Sequence, residues 1–243
     1  MPDVTDNAES VGPVSAATQR LLATAERLDT ADLAADSRCP GWTRAHVLAH
    51  VARNADALTN LLSWAATGVE TYMYPSGEAR NADIEAGASA SPEALVADVR
   101  ESAGRFSTAI SQLPEEAWEF SVRTGPGGSG AVIPARRVVW VRLRELELHH
   151  VDLDAGYSPA DWPAPFVSRA LAEAMRAVGR RDDVPAFTAV VGDVREPVGT
   201  GGSTEVHGTA TDLLAWLTGR GNGADLHVVP SGQLPSIPSQ AWL

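Results

Sequence analysis

The sequence predicts an α+β protein made of a helical bundle followed by a smaller mixed domain, and three observations carry that reading. Four segments in the first two-thirds of the chain space their apolar residues three and four apart, the period of an amphipathic helix. The stretch "YSPADWPAP", residues 157 to 165, is a proline-rich break. Beyond it come short β-type runs and brief helices, the texture of an α+β domain. The expected partition is therefore 1–160 for the bundle and 161–243 for the second domain.

The first helix is expected from about Val14 to Leu28, with Leu21, Leu22, Ala25 and Leu28 on one stripe. The second follows Thr43, an N-cap residue, and runs to about Thr67, with Gly68 just past its end. Its stripe is Val47, Val51, Leu58, Leu61 and Leu62. The third opens at Ser91-Pro92, with proline at the first helical position, and ends near Leu113 before Pro114. The fourth runs from Pro134 to about Ala155, ahead of Gly156. Between the last two, alternation around Trp118, Phe120 and Val122, a glycine-rich turn and Ala131-Val132-Ile133 predict a small hairpin. Its turn, "GPGGSG", matches the spacing G-x-G-x-x-G. Pro126, the lack of a buried parallel strand before it and the lack of a helix directly after it make it a turn, not a dinucleotide site. In the second domain a helix from about Pro165 to Gly179 leads to strands at "AFTAVVGDV", "STEVHGT" and "DLHVV", with a short helix at "DLLAWLTGR".

At 243 residues the chain can bury a sizeable core. Its 19 basic and 31 acidic residues give a net charge of −12 with no Lys/Arg cluster, which argues against nucleic acid and anionic membrane as partners. No apolar run approaches the roughly 18 residues of a membrane span. The start, "MPDVTDNAES", is polar and acidic and lacks the features of a signal peptide, so a cytoplasmic, monomeric protein is expected. Cys39 is the single cysteine, so neither an intrachain disulfide nor a thiolate metal cluster can form. Lying before Pro40-Gly41, it reads as inert.

The chemistry concentrates in "RELELHHVDLDAG", residues 144 to 156. Residues four apart on a helix differ by about 40° in direction, so Glu145 and His149 share a face. Val138 and Val141 on the same stripe turn that face inward, where a carboxylate must be paired or metal-bound. By spacing alone the pair suits either a helix hydrogen bond or a shared ion. The second helix offers His50 on its buried stripe among Val47, Val51, Asn54, Leu58 and Leu61, with His46 one turn earlier. Two histidines and one glutamate would leave one tetrahedral position open, the pattern of a catalytic zinc. Glu147 and His150 point elsewhere on the helix and are expected to be solvated. A fourth ligand such as His46 or Asp152 would instead close the sphere and favour a metal-stabilised binding module without enzymatic activity.

The segment "GWTRAHVLAHVARNADALTNLLSWAATGVETYMYPSGEARNADIEAG", residues 41 to 87, resembles the mycothiol-dependent maleylpyruvate isomerases. So do "WVRLRELELHHVDL", "LLAWLTGRGNGAD" and "SGQLPSIPSQAWL", and together they cover nearly the whole chain in order. The resemblance implies a DinB/YfiT-like metal-binding four-helix bundle with a smaller C-terminal α+β domain. It implies zinc held by the second histidine of "HVLAH", which selects His50 over His46, and by Glu145 and His149 of the "RExxxH" pattern. Catalytic arginines are implied at Arg80, in "EARN", and Arg220, in "TGRG", the latter placing the active site between the domains.

The implied reaction needs zinc and mycothiol, and its partners are a low-molecular-weight thiol and a small anionic substrate. Thiolate adds to the cis double bond of maleylpyruvate, the resulting single bond rotates, and expulsion of the thiolate leaves fumarylpyruvate. A metal-bound thiol is deprotonated at neutral pH, so the protein needs no cysteine nucleophile. Arginines can fork onto carboxylates and stabilise the developing enolate. A chain of charge −12 requires such a local positive patch to accept a dianion. The same ligands would also serve a thiol S-transferase, or a cis-trans isomerase acting on another electrophile, because ligand spacing does not report whether the adduct is expelled or released.

Overall fold

A computed structural model describes residues 5–238 of the chain, which divides into two compact units, residues 1–156 and 157–243. In the first unit, helix α1 (Thr5–Ala25) is followed by a one-turn α2 (Thr30–Ala34). Asp29 caps α2 in a reciprocal box with Asp32. Helix α3 (Arg44–Thr67) starts at the expected Thr43 cap and ends at Gly68, whose φ of 73° is the left-handed conformation that glycine adopts without strain. His46 closes the α3 cap: its Nδ1 lies 2.7 Å from Thr43 Oγ1 and accepts from the Thr43 amide.

Helix α4 (Gly77–Ala88) is capped by Ser76, whose hydroxyl accepts from the Ala79 amide. It has no sequence counterpart in the expected elements. Ile84 is its one buried residue, so it carries no apolar stripe to read. It lies close on α3: a Cβ built on Gly87 would meet the Ala49 Cβ at 3.0 Å. Helix α5 (Pro92–Gln112) opens with proline in its first turn under the Ser91 cap. A hairpin of β1 (Ser121–Arg123) and β2 (Val132–Pro134), paired antiparallel, precedes α6 (Arg136–Asp152). The "GPGGSG" segment is the turn of that hairpin, with Gly125, Gly127 and Gly128 at positive φ.

The bundle closes as a ring. Helix α3 packs on α5 and α6, and α1 packs on α5 and α6 from the other side. Leu21, Val51, Leu58, Leu61, Phe106 and Leu146 fill the middle. Because α6 is covered by α1 on one flank and α3 on the other, it is buried nearly all round. That corrects the expectation for Glu147 and His150, which are 1% and 2% exposed. Glu147 accepts from Arg20 Nη2 at 2.5 Å, and His150 Nε2 lies 2.8 Å from Thr24 Oγ1, so both polar groups are spent against α1.

In the second unit, α7 (Ala164–Val178) precedes β3 (Phe187–Val191), β4 (Val194–Val198) and β5 (Thr204–His207). Helix α8 (Ala210–Leu217) and β6 (His227–Val229) complete it. The sheet order is β4-β3-β5-β6: β3 pairs antiparallel with β4 and parallel with β5, and β5 pairs antiparallel with β6. Helices α7 and α8 pack on each other, and Phe187 meets Trp216 ring-to-edge at 5.4 Å.

Leu58 is fully buried at the α3 seam. Leu58→Ala should cost about 2–5 kcal/mol, the range for deleting a buried leucine side chain. Urea unfolding of the two proteins measures it, and an unchanged midpoint would remove Leu58 from the core.

Candidate metal centre

The α3–α6 seam brings three side chains to one point. His50, on α3, places Nε2 3.2 Å from Glu145 Oε2 and 3.1 Å from His149 Nε2. Glu145 Oε2 and His149 Nε2, one turn apart on α6, are separated by 3.4 Å. The two imidazoles meet at 85°, with centroids 4.6 Å apart, so neither ring blocks the other's nitrogen. His50 and His149 are buried, and Glu145 is half-buried.

These distances suit a common cation. Ligand atoms about 2.0–2.1 Å from a tetrahedral zinc lie about 3.3 Å from one another, close to the three separations seen here. Two imidazole nitrogens and one carboxylate oxygen are also a donor set that zinc accepts with a position left for a further ligand. His46 takes no part. Its ring is committed to the Thr43 cap, and its Nε2 lies 3.2 Å from Glu85.

A second layer surrounds the three. Asp152 Oδ2 sits 2.9 Å from His149 Nδ1, an ion-pair distance without the alignment of a hydrogen bond. A carboxylate behind a ligand histidine fixes its ring and tautomer, so Asp152 supports His149 from the far side of the ring. The Cys39 thiol belongs to this layer, with His149 and Asp152 offering atoms within 4.8 Å of one another. The expectation of an inert Cys39 rested on its chain neighbours, and this contact is one that only the fold creates. Arg80, on α4, reaches His50 Nδ1 at 3.3 Å through Nη2. Its guanidinium carbon lies 5.8 Å from the ring centres of both Trp42 and Tyr74, so two aromatic faces hold the cation. Trp42 also packs 5.4 Å from the His50 ring. Arg142, one turn before Glu145, is fully buried and donates from Nη1 to the Val51 carbonyl at 2.8 Å and to Asn54 Oδ1 at 2.9 Å.

Charge in the cluster is divided. Burial, outweighing the Glu145 hydrogen bond, lowers His50 to about 4, so its ring is neutral at pH 7. Burial opposes ionisation of Glu145, but the His149 and His50 hydrogen bonds hold its carboxyl well below the usual range. Burial likewise opposes charging of His149, yet Asp152, Cys39 and Glu145 hold its pKa well above the usual value. Arg220 lies in the second unit just past α8, where its Nη1 donates to the Thr218 carbonyl at 2.6 Å. Trp42, Tyr74 and Arg142 were not singled out in the sequence. Only Arg142 carried a signal, a charged residue on the buried face of α6.

A four-helix bundle with a polar metal-type cluster at its centre, followed by a small α+β unit, defines the class. Residues 14–154 match the family model described as the mycothiol maleylpyruvate isomerase N-terminal domain, and residues 161–239 match the MDMPI C-terminal domain. The chain belongs to the mycothiol-dependent maleylpyruvate isomerase family. Among solved structures it is similar to a mycothiol-dependent maleylpyruvate isomerase, with 31% identity, 95% of each chain covered and a TM-score of 0.87. A histidine-to-alanine mutant of mycothiol-dependent maleylpyruvate isomerase matches with 31% identity, the same coverage and a TM-score of 0.87. No curated relative matches the chain.

The opposed histidine shifts predict a peaked stability profile for chelator-treated protein. His149, with its raised folded pKa, contributes stability that is present below about 6.5 and is lost as pH rises through the folded value. His50 has the opposite sign: the unfolded chain binds its proton first, so stability falls as pH drops from 6.5 towards about 4. Melting temperature against pH should therefore peak near the ordinary histidine pKa. His50→Gln should flatten the acid limb and His149→Gln the alkaline limb. Identical profiles for wild type and both variants would contradict the assignment.

Proposed function

We propose that this protein is a zinc- and mycothiol-dependent isomerase that converts maleylpyruvate to fumarylpyruvate. The observation that carries the reading is the convergence of His50 Nε2, Glu145 Oε2 and His149 Nε2 within 3.1–3.4 Å in a chain of this family. These three would hold the zinc, which when bound supplies a Lewis acid able to lower the pKa of a thiol. The chain's own residues do the rest. Neutral His50 and ionised Glu145 are ready to ligate without first losing a proton. Asp152 fixes the His149 ring, and the Trp42 ring shields His50 from water.

Substrate charge is met locally. Arg80, held between Trp42 and Tyr74, presents a guanidinium beside His50 to a chain of net charge −12. An arginine in that place can fork onto a carboxylate or stabilise the enolate formed when thiolate adds to the double bond. Arg220 is assigned the second such contact. Cys39 is assigned no nucleophilic role, because the thiol comes from the cofactor.

The assay is turnover of maleylpyruvate by purified protein. Activity should require mycothiol, should vanish on chelation and should return with zinc. His50→Ala should lose metal and turnover together. Arg220→Ala should lower kcat/KM about 30- to 1000-fold, the loss expected for a charge-assisted contact worth about 2–4 kcal/mol in the transition state. Turnover without any added thiol would contradict the mechanism. An Arg220→Ala protein that melts lower but turns over like wild type would confine Arg220 to the Thr218 carbonyl at the end of α8.

A further inference from the structure

Two polar side chains next to the metal-type cluster are buried with hydrogen-bonding capacity to spare. Tyr74 is 7% exposed, and its hydroxyl, with the Arg80 guanidinium as its neighbour, has no partner in hydrogen-bond geometry among the described residues. Arg142 is 0% exposed; Nη1 is used on α3, but Nε and Nη2 have no partner among the described residues. Buried donors are nearly always satisfied, so each such group calls for an explanation. Arg142 makes no ion pair among the described residues, although Glu145 is its nearest electrostatic partner. Glu145 Oε2 is engaged with His50 and His149, and Asp56 is gripped by Arg105 at 2.8 and 3.0 Å and by Arg53 at 3.2 Å.

The two groups belong to one place. Arg142 is one helical turn from Glu145 and is tied to Val51, the residue after His50 on α3, and to Asn54, one turn beyond His50. Tyr74 packs its ring against the Arg80 guanidinium, which in turn reaches His50. Tyr74, Arg142 and Glu145 lie within electrostatic reach of one another. The unspent atoms are all donors, apart from the phenol oxygen itself. What satisfies a tyrosine O–H and two guanidinium N–H groups together is an anionic oxygen pair.

We infer that Tyr74 and Arg142 form an anchor for one carboxylate of a short dicarboxylate, seated beside the His50–Glu145–His149 cluster with Arg80 at its edge. The inference rests on the reading of that cluster as the active site, and it adds the residues that select a dianion. Burial pushes the Tyr74 phenol up to about 12, which keeps its proton available for donation. Arg142 contributes a cation that needs no reorganisation when the carboxylate arrives, because α3 already fixes one of its nitrogens.

The test uses maleate, a short dicarboxylate that needs no thiol in order to bind. Zinc-loaded wild type should bind maleate by calorimetry. Tyr74→Phe should retain its zinc, melt no lower than wild type because it removes an unpaired buried hydroxyl, and bind maleate about 10- to 100-fold more weakly. Its KM for maleylpyruvate should rise in parallel, with a smaller change in kcat. Arg142→Lys keeps the charge but loses the fork, and should weaken maleate similarly. Where a variant does not fold, wild-type crystals soaked with maleate give the answer directly: a carboxylate within hydrogen-bond distance of Tyr74 Oη and Arg142 Nη2 supports the anchor. Water on those atoms with maleate elsewhere, or equal maleate affinity in wild type and Tyr74→Phe, overturns it. Maleate seated on Tyr74 in a protein that does not isomerise maleylpyruvate would support the anchor while refuting the proposed reaction.

Discussion

The seam between α3 and α6 sets the geometry on which everything else depends. One helix supplies His50 and the other supplies Glu145 and His149, so the distance between Nε2 atoms, 3.1 Å, is a direct readout of how the two helices are docked. Apolar packing fixes the approach: Val47, Val51 and Leu58 of α3 and Val138, Leu146 and Val151 of α6 are all fully or almost fully buried. The Arg142 side chain adds a polar lock, donating across the seam to Val51 and Asn54. A shift of one helix along the other would cost these contacts and separate the three ligand atoms at once.

The same seam gathers cationic side chains inside an acidic protein. The chain has a net charge of −12, whereas Arg80 reaches His50 and the buried Arg142 lies one turn before the half-buried Glu145. Helix α4 is essential to that arrangement although it has little core of its own. Its close approach to α3 at Gly87 and Ala49 delivers Arg80 to the Trp42 and Tyr74 rings.

Much of this was legible in the sequence where local signals and burial agree. Thr43 and Gly68 bracket α3, and Ser91-Pro92 opens α5, as capping chemistry predicts. The pairing of Glu145 with His149 follows from helical spacing, and the choice of His50 over His46 came from family resemblance. The structure adds a physical reason for that choice, since His46 is spent on the α3 cap. What was hidden depended on tertiary neighbours. Helix α4 lacks an apolar stripe, and α6 is covered on both flanks, so period alone could not show that Glu147 and His150 are buried. Cys39 and Tyr74 lie in loops, where no periodicity indicates which residues face the cluster.

The central claim is that His50, Glu145 and His149 share one zinc ion. The most direct measurement is an anomalous difference map at the zinc edge from crystals of the protein purified without chelator. The account predicts a single strong peak about 2.0–2.1 Å from His50 Nε2, Glu145 Oε2 and His149 Nε2. A peak on Cys39, His149 Nδ1 and Asp152 instead, or none in zinc-supplemented crystals, would contradict it.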